Sequence, residues 1–358
     1  MTATIGGPLS AILALVAALI SGCAADPTPT PSPPTVTVMT QNLYLGFDAV
    51  ALLERPTPAN VEAAFAAIQT TDFAARARAL AEAIAAAQPD LIALQEAVLY
   101  RTQTPGDLLR GSFAPNATTI AYDFVSILVD ALSSRGMAYS AATMTSVDVE
   151  LPGVGRDIRL TDRDVILTRD GALEVTNVRG CNYTAVFGMP SVLVPVPITR
   201  GWVSVDVEVE GKAFRIVATT LESLEVYAGV PADVQVAQAH ELLAGPAVTG
   251  LPVVLVGDLG SAAAGSGFST PTYAAMVEAG FVDAWAEARP GEAGFTCCQS
   301  PSLDNGTSEL DVRLDLVLYR GGFSATGAAL VGAEPAAITG AVRWPSDHAG
   351  VIVTLELP

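Results

Sequence analysis

The chain has 358 residues, 51% of them apolar, which is enough to bury one large core or two ordinary ones and excludes a disordered chain. Its formal net charge is -19, from 37 acidic and 18 basic residues, and Lys212 is the only lysine. Such a surface repels polyanions, which argues against non-specific binding of duplex nucleic acid through a basic face.

The N-terminal residues predict an exported protein. The apolar stretch from Leu9 to Ile20 is too short to span a bilayer but suits a signal peptide. It ends in the sequence ISGC, which resembles the bacterial lipobox, so Cys23 would be acylated after cleavage. No basic residue precedes Arg55, which departs from the usual signal peptide. We expect residues 1–22 to be a signal peptide and the protein to be a lipoprotein on the outer face of the cell membrane, with a secreted protein as the alternative.

A proline-rich segment then separates this signal from the fold. The sequence ADPTPTPSPP predicts an extended tether over residues 23–35. The rest of the chain, 36–358, shows no internal repeat and no further boundary, so it is interpreted as one domain. We expect a monomer.

Strands and helices alternate along this domain. A strand runs from Val36 to Asn42, and an amphipathic helix spans 72–88, with Asp72 as N-cap and Pro89 as its stop. Further elements are expected in the following order: a buried strand ending at Glu96, a helix at about 121–135, a strand-rich middle with a hairpin turn at Gly211-Lys212, a helix at 233–244, a strand at 252–257, a helix at 271–279 and two closing strands. Strands outnumber helices, which favours a sheet core with helices outside.

Histidine and cysteine are scarce. There are two histidines, His240 and His348, and without Cys23 three cysteines remain. A disulfide from Cys181 to one member of the pair Cys297-Cys298 is expected in an exported protein, whereas a zinc site would lack a fourth ligand.

Polar residues recur where strands end. The positions are Asn42, Glu96, Asp258, Asp315 and the pair Asp347-His348. Strand ends on one rim of a packed sheet converge, so these residues predict one acidic basin with a single imidazole. Oxygen ligands of this kind suit Mg²⁺, Ca²⁺ or Mn²⁺ better than Zn²⁺.

Five stretches, MTQNLYLG, PDLIALQE, VGDLGS, RLDLVLY and WPSDHAGV, occur in this order between about residues 36 and 357. Together they resemble the endonuclease/exonuclease/phosphatase superfamily of metal-dependent phosphoesterases. The resemblance implies a four-layered α/β sandwich, in which two mixed β-sheets pack face to face with helices outside. It also implies a phosphoester substrate, such as a lipid headgroup, a nucleotide or nucleic acid, and a magnesium, calcium or manganese cofactor.

The resemblance assigns roles to single residues. Glu96 matches the metal-binding glutamate, and Asp347 binds the metal or positions its water. Asn42 matches the asparagine at the strand end and is assigned both to the metal and to catalysis. Asp258 matches the aspartate that orients and helps to deprotonate the attacking water. His348 matches the histidine that supports the transition state, and Asp315 the aspartate that holds it. Arg169 is a candidate phosphate contact, with a solvated arginine as the alternative. Asp48 is interpreted as a turn residue.

Two positions depart from the family pattern. Thr220 stands where the family has a second histidine, and Gly260 stands where it has an asparagine after the aspartate. Loss of one preorganised donor to a developing oxyanion commonly lowers the rate by about 10²- to 10³-fold. We therefore expect a metal-dependent phosphodiesterase or phosphohydrolase of low activity, or a disabled member that acts as a binding protein.

Overall fold

Eight strands form the first sheet of the computed structural model, which describes residues 33–189, 196–224, 232–263 and 268–358. They are β1 (Thr35–Asn42), β2 (Leu91–Gln95), β3 (Leu99–Gln103), β4 (Thr119–Asp123), β5 (Tyr139–Pro152), β6 (Asp157–Arg169), β15 (Ser324–Val331) and β16 (Gly350–Glu356). Their order is β15-β16-β1-β2-β6-β3-β4, and β5 also pairs with β6. Only β1 and β2 are parallel among these pairs, so Asn42 and Gln95 end side by side.

A second sheet has the order β13-β14-β12-β11-β10-β7. Its strands are β7 (Glu174–Asn182), β10 (Gly201–Val209), β11 (Lys212–Thr220), β12 (Val253–Asp258), β13 (Val282–Asp283) and β14 (Asp315–Arg320). A separate small ribbon pairs β8 (Phe187–Met189) with β9 (Val196–Ile198). Because β11 and β12 are parallel and β14 is antiparallel to β12, Thr220 lies beside Asp258 and Asp258 beside Asp315.

Seven helices are present in the described part of the chain. They are α1 (Ala49–Glu54), α2 (Pro58–Thr71), α3 (Phe73–Ala87), α4 (Phe124–Ser133), α5 (Asp233–Ala244), α6 (Pro271–Glu278) and α7 (Ala284–Ala288), and a 3₁₀ turn covers Leu108–Arg110. Helix α3 begins where expected, because the Asp72 side chain accepts from the Ala75 amide, and it ends at Gln88 before Pro89. No described helix has the length and apolarity needed to cross a membrane.

The two sheets pack face to face. Val38, Ala93 and Ile166 of the first sheet meet apolar residues of the second, such as Val205 and Val254, in one buried cluster. Helices α2, α3 and α4 cover the outer face of the first sheet, and α5 and α6 cover the second. The predicted four-layered α/β sandwich, with two mixed sheets and helices outside, is confirmed.

Two expected elements differ from the structure. The helix at 121–135 starts at Phe124, because the preceding residues belong to β4 and pair with β3. The hairpin between β10 and β11 turns at Glu210 and Gly211, one residue earlier than expected, and both have positive φ, 50° and 81°. Residues 1–32, including Cys23, lie outside the described residues.

Candidate active site

The sheet register brings the predicted residues to one rim of the sandwich. Glu96 follows the end of β2, Asp258 ends β12, and His348 lies just before β16. These three side chains and Asp347 line the same cavity, which has a volume of about 330 Å³. Asn42 and Asp315 stand directly behind it, since each is hydrogen-bonded to a residue of the cavity wall.

His348 and Asp315 form a buried pair. The Asp315 Oδ2 lies 2.7 Å from the His348 Nδ1, and the Asp315 side chain is completely buried. Burial alone would lower the pKa of His348, but the carboxylates of Asp315 and Asp347 outweigh it and raise this pKa well above its ordinary value. The imidazole is therefore held as a cation, whose Nδ1 is bonded to Asp315 and whose Nε2 faces the Cys298 sulfur at 3.8 Å.

Asp258 is oriented by two donors. The Gly260 amide donates to Oδ1 at 3.0 Å, and the Asn42 side-chain amide donates to Oδ2 at 3.3 Å. The Asn42 Oδ1 in turn accepts from the Tyr44 amide at 2.9 Å, which fixes the amide orientation. Asp258 thus enters the cavity as an oriented carboxylate, and it is only 7% exposed.

Glu96 and Asp347 place two further carboxylates in this poorly solvated cavity. Burial, followed by the charges of Asp347 and Asp162, raises the pKa of Glu96 to about 8. Burial raises the pKa of Asp347 to about 6. Glu96 has φ 51°, a strained conformation for this residue, and its Oε2 accepts from the Leu45 amide at 2.7 Å. A cation would offset the cost of ionising both groups.

The donor set fits a hard divalent cation. Among described residues, Asp258 and Asp315 place carboxylate oxygens within 4.8 Å of each other beside His348, and Glu96 and Asp347 face the same cavity. Every one of the predicted ligands Glu96, Asp347 and Asn42 offers oxygen. Oxygen ligands suit Mg²⁺, Ca²⁺ or Mn²⁺.

Several charged residues of this site were not predicted from the sequence. Arg200 lines the cavity, and it lies 3.6 Å from the Asp162 carboxylate and 3.5 Å from that of Glu222. Burial lowers the pKa of Arg200, but the charges of Glu222 and Asp162 raise this pKa by more than burial lowers it. The guanidinium therefore stays charged. A signal was present, because Arg200 immediately precedes a strand and Asp162 lies on β6.

Arg169 does not lie at this site. It ends β6 and forms an ion pair with Asp90, which precedes β2, whereas Glu96 follows the other end of β2. The predicted phosphate contact is therefore wrong, because strand β2 separates Arg169 from the acidic rim. Among the residues that the structure describes, Arg200 and His348 are the basic side chains that line the cavity.

Asp48 and His240 have structural positions that need no role in catalysis. Asp48 is the N-cap of α1, where its Oδ1 accepts from the Ala51 amide at 2.9 Å, and it also reaches the edge of the cavity. His240 is exposed on α5 and does not line the cavity.

Thr220 and Gly260, the two departures from the family pattern, both have close neighbours. The Thr220 hydroxyl donates to Asp164 Oδ1 at 2.6 Å, so it is turned towards a buried acid. Gly260 has φ 56°, and a Cβ there would lie 2.8 Å from Gln235 Nε2 and 2.9 Å from Ser223 Cβ. An asparagine at 260 would therefore require Ser223 and Gln235 to move.

The cysteine pairing differs from the expectation. Cys297 is bonded to Cys298, and Cys181 is a free, exposed residue on the edge strand β7. The expected bond from Cys181 is thus wrong, because the two adjacent cysteines are bonded to each other. Cys298 Sγ lies 3.8 Å from His348 Nε2, and both Cys298 and His348 form part of the cavity wall.

A family model for the endonuclease/exonuclease/phosphatase family matches residues 39–348. The chain belongs to this family. The matched range contains every residue of the site, from Asn42 to His348. No curated protein matches the chain. This family consists of metal-dependent phosphoesterases, which fits the acidic group described above.

Solved structures share the fold at low sequence identity. An endonuclease/exonuclease/phosphatase family protein from Leptotrichia buccalis has a TM-score of 0.53 at 16% identity, over 90% of this chain and 100% of the other. A mannosyl-6-phosphatase from Bacteroides thetaiotaomicron has a TM-score of 0.54 at 14% identity, over 89% and 99%. A family member from Beutenbergia cavernae has a TM-score of 0.53 at 20% identity, over 90% and 72%. At these identities the likeness concerns the fold.

Proposed function

We propose that this protein hydrolyses phosphoesters, and specifically phosphodiesters, with the help of a divalent cation. The observation that carries the proposal is the cavity that joins Asp258 and the Asp315–His348 pair to Glu96 and Asp347. An oriented carboxylate, a carboxylate-supported imidazolium and an all-oxygen ligand set are the three components that such chemistry needs.

Each residue has a distinct role in this proposal. Glu96, Asp347 and Asn42 would hold Mg²⁺, Ca²⁺ or Mn²⁺, which when bound polarises a phosphoryl oxygen and offsets developing charge. Asp258, held by Gly260 and Asn42, orients a water molecule and accepts its proton. His348 donates from Nε2 to the oxygen on which negative charge builds, while Asp315 fixes its orientation. Arg200 supplies a fixed positive charge for the phosphate.

Hydrolysis of bis(4-nitrophenyl) phosphate with Mg²⁺, Mn²⁺ or Ca²⁺ tests the proposal. We expect turnover in the wild type and a rate lower by about 10²- to 10⁴-fold in Asp258→Ala and in His348→Ala. A chelator should abolish the wild-type activity, and added metal should restore it. His240→Ala is the matched control, because His240 is exposed and remote from the cavity. Turnover in the wild type no higher than in Asp258→Ala, with each metal, would contradict the proposal.

A second candidate is a binding protein that keeps the site without turnover. It is favoured by Thr220, which is turned to Asp164, and by Gly260, whose neighbours leave no room for an amide. The test is rescue by Thr220→His with Gly260→Asn, combined with Ser223→Gly to provide space. Activity that appears only in this variant would identify the natural chain as a disabled enzyme.

We also propose that the protein is exported and held at the outer face of the cell membrane by a lipid on Cys23, with a secreted form as the alternative. The proposal is supported by the apolar residues Leu9 to Ile20 followed by ISGC. Metabolic labelling with an alkyne fatty acid should label the wild type and not Cys23→Ala. Equal labelling of both would contradict it.

A further inference from the structure

The cavity continues from the acidic residues into a region lined mainly by hydrocarbon side chains, here called the apolar chamber. One wall is the face of α2 formed by Val61, Ala64, Phe65 and Ile68. These positions have the i, i+3, i+4, i+7 spacing of a single helix face. The opposite wall is the ribbon of β5 and β6.

The ribbon wall changes from apolar to acidic along its length. Three cross-strand pairs line the cavity in succession, namely Leu151 with Ile158, Val149 with Leu160, and Val147 with Asp162. Residues 158, 160 and 162 share one face of β6 and span about 13 Å at ~3.3 Å per residue. Asp162 is the residue that faces Arg200, so the chamber ends at the acidic site.

Contacts of the helix α2 with neighbouring elements hold the chamber walls in place. Phe65 packs edge-on against Tyr100, with ring centroids 6.4 Å apart, and Arg156 lies 4.7 Å from the Phe65 ring centroid. The Tyr100 hydroxyl donates to the Leu45 carbonyl at 2.8 Å, and Arg156 is paired with Glu62. These contacts fix the position of α2 relative to the ribbon before a ligand binds.

One ligand must therefore satisfy two chemistries at once. The acidic end offers a phosphoester the proposed cation site together with His348 and Arg200. The described residues that line the cavity from α2, β5 and β6 have hydrocarbon side chains as far as Asp162, so the polar atoms of a base or a sugar would lose their hydrogen bonds to water there. We propose that the apolar chamber binds the hydrocarbon chain of an amphiphilic phosphoester, with the phosphate at the acidic end. This inference rests on the proposed function and names its substrate class.

Butyl, hexyl, octyl and decyl phosphonate are the probes, because their carbon–phosphorus bond is not hydrolysed and binding is measured apart from turnover. Calorimetry on the full chain with Mg²⁺ should show affinity rising about fourfold with each methylene that enters the chamber. The same series should inhibit hydrolysis of bis(4-nitrophenyl) phosphate in the same order.

Filling the chamber should abolish this dependence on chain length. Ala64→Phe places a ring in the chamber and should weaken binding of decyl phosphonate by at least about tenfold, with butyl phosphonate nearly unchanged. Ala66→Phe is the matched control, since Ala66 is exposed on the same helix and does not line the cavity. Val149→Phe fills the chamber from the opposite wall. If Ala64→Phe does not fold, Val149→Phe should show the same loss of decyl phosphonate binding.

The outcomes separate the two proposals. Chain-length-dependent binding that Ala64→Phe removes, in a protein without turnover, would support the chamber and overturn the proposed hydrolysis. Turnover with affinity independent of chain length would overturn the chamber alone. Repeating the assay with phosphatidylcholine vesicles distinguishes a bilayer lipid from a free amphiphile as the source of the chain.

Discussion

Among single side chains, Asp315 controls the protonation of His348. Asn at 315 would keep the shape but remove the charge that raises the pKa of His348. Because a raised pKa keeps the imidazole protonated to higher pH, we expect the alkaline limb of the pH–rate profile to move to lower pH in Asp315→Asn. The maximal rate should fall by about 10²- to 10⁴-fold. Steady-state kinetics of bis(4-nitrophenyl) phosphate across pH would measure both effects, and an unmoved alkaline limb would contradict the role of Asp315.

Gly260 should be intolerant of a side chain for reasons of packing as well as conformation. Gly260→Ala combines φ 56° with a Cβ only 2.9 Å from Ser223 Cβ. Gly340→Ala is the matched control, because Gly340 has φ 52° and nothing within 4 Å of its Cβ position. We expect the control to lose about 1 kcal/mol of unfolding free energy and Gly260→Ala a further ~1–3 kcal/mol in urea denaturation. Equal losses would mean that Ser223 yields freely.

Helix α3 positions two loops of the site through Arg76. This buried guanidinium donates to the carbonyls of Leu43 at 2.7 Å and Pro345 at 3.0 Å, which precede Tyr44 and Ser346. Burial lowers the pKa of Arg76 to about 10, yet it remains charged at neutral pH.

Loss of Arg76 should therefore affect both stability and activity. Arg76→Leu leaves buried carbonyls without a donor, so we expect about 2–5 kcal/mol of destabilisation in urea denaturation. Phosphodiesterase activity should also fall at temperatures where the variant is still folded. Arg78→Leu on the same helix is the control, because Arg78 is exposed and should cost less than about 0.5 kcal/mol. A folded Arg76→Leu protein with full activity would exclude the positioning role.

The sequence predicted elements with strong local signals and missed those that depend on packing. Helix α3 was found because Asp72 and Pro89 mark its ends, whereas α2 was not predicted, since its alanines give the two faces little contrast. Acids at strand ends were found from their position alone. Arg200 precedes β10 and Asp162 lies within β6, so neither marks a strand end. Only the packing of the two sheets brings these two residues to the acidic rim.

Across the whole molecule, acidic residues outnumber basic ones, and several acidic side chains meet in the cavity at one rim of the two sheets. Glu96, Asp162, Asp258 and Asp347 all line one cavity, with Arg200 and His348 as the cationic side chains. The net charge of -19 adds to this field and favours divalent cations over polyanions. A long duplex nucleic acid is for this reason a poor substrate candidate, and a small or amphiphilic phosphoester a better one.

This concentration of acids makes the folding stability depend on pH and metal together. Glu96 and Asp347 have raised pKa values, about 8 and about 6, so the folded metal-free protein binds more protons than the unfolded chain between about pH 4 and 8. Their contribution to stability is present below this range and is lost as the pH rises through it.

A bound cation needs both carboxylates ionised, so the stabilisation by Mg²⁺ or Mn²⁺ should grow with pH. Thermal denaturation at pH 5.5 and pH 8 should show a larger metal-induced rise in melting temperature at pH 8, where a metal concentration of 100 Kd adds about 2.7 kcal/mol. Glu96→Gln should reduce both the pH dependence and the metal effect, and an equal metal-induced rise at the two pH values would show that the cation does not bind through these carboxylates.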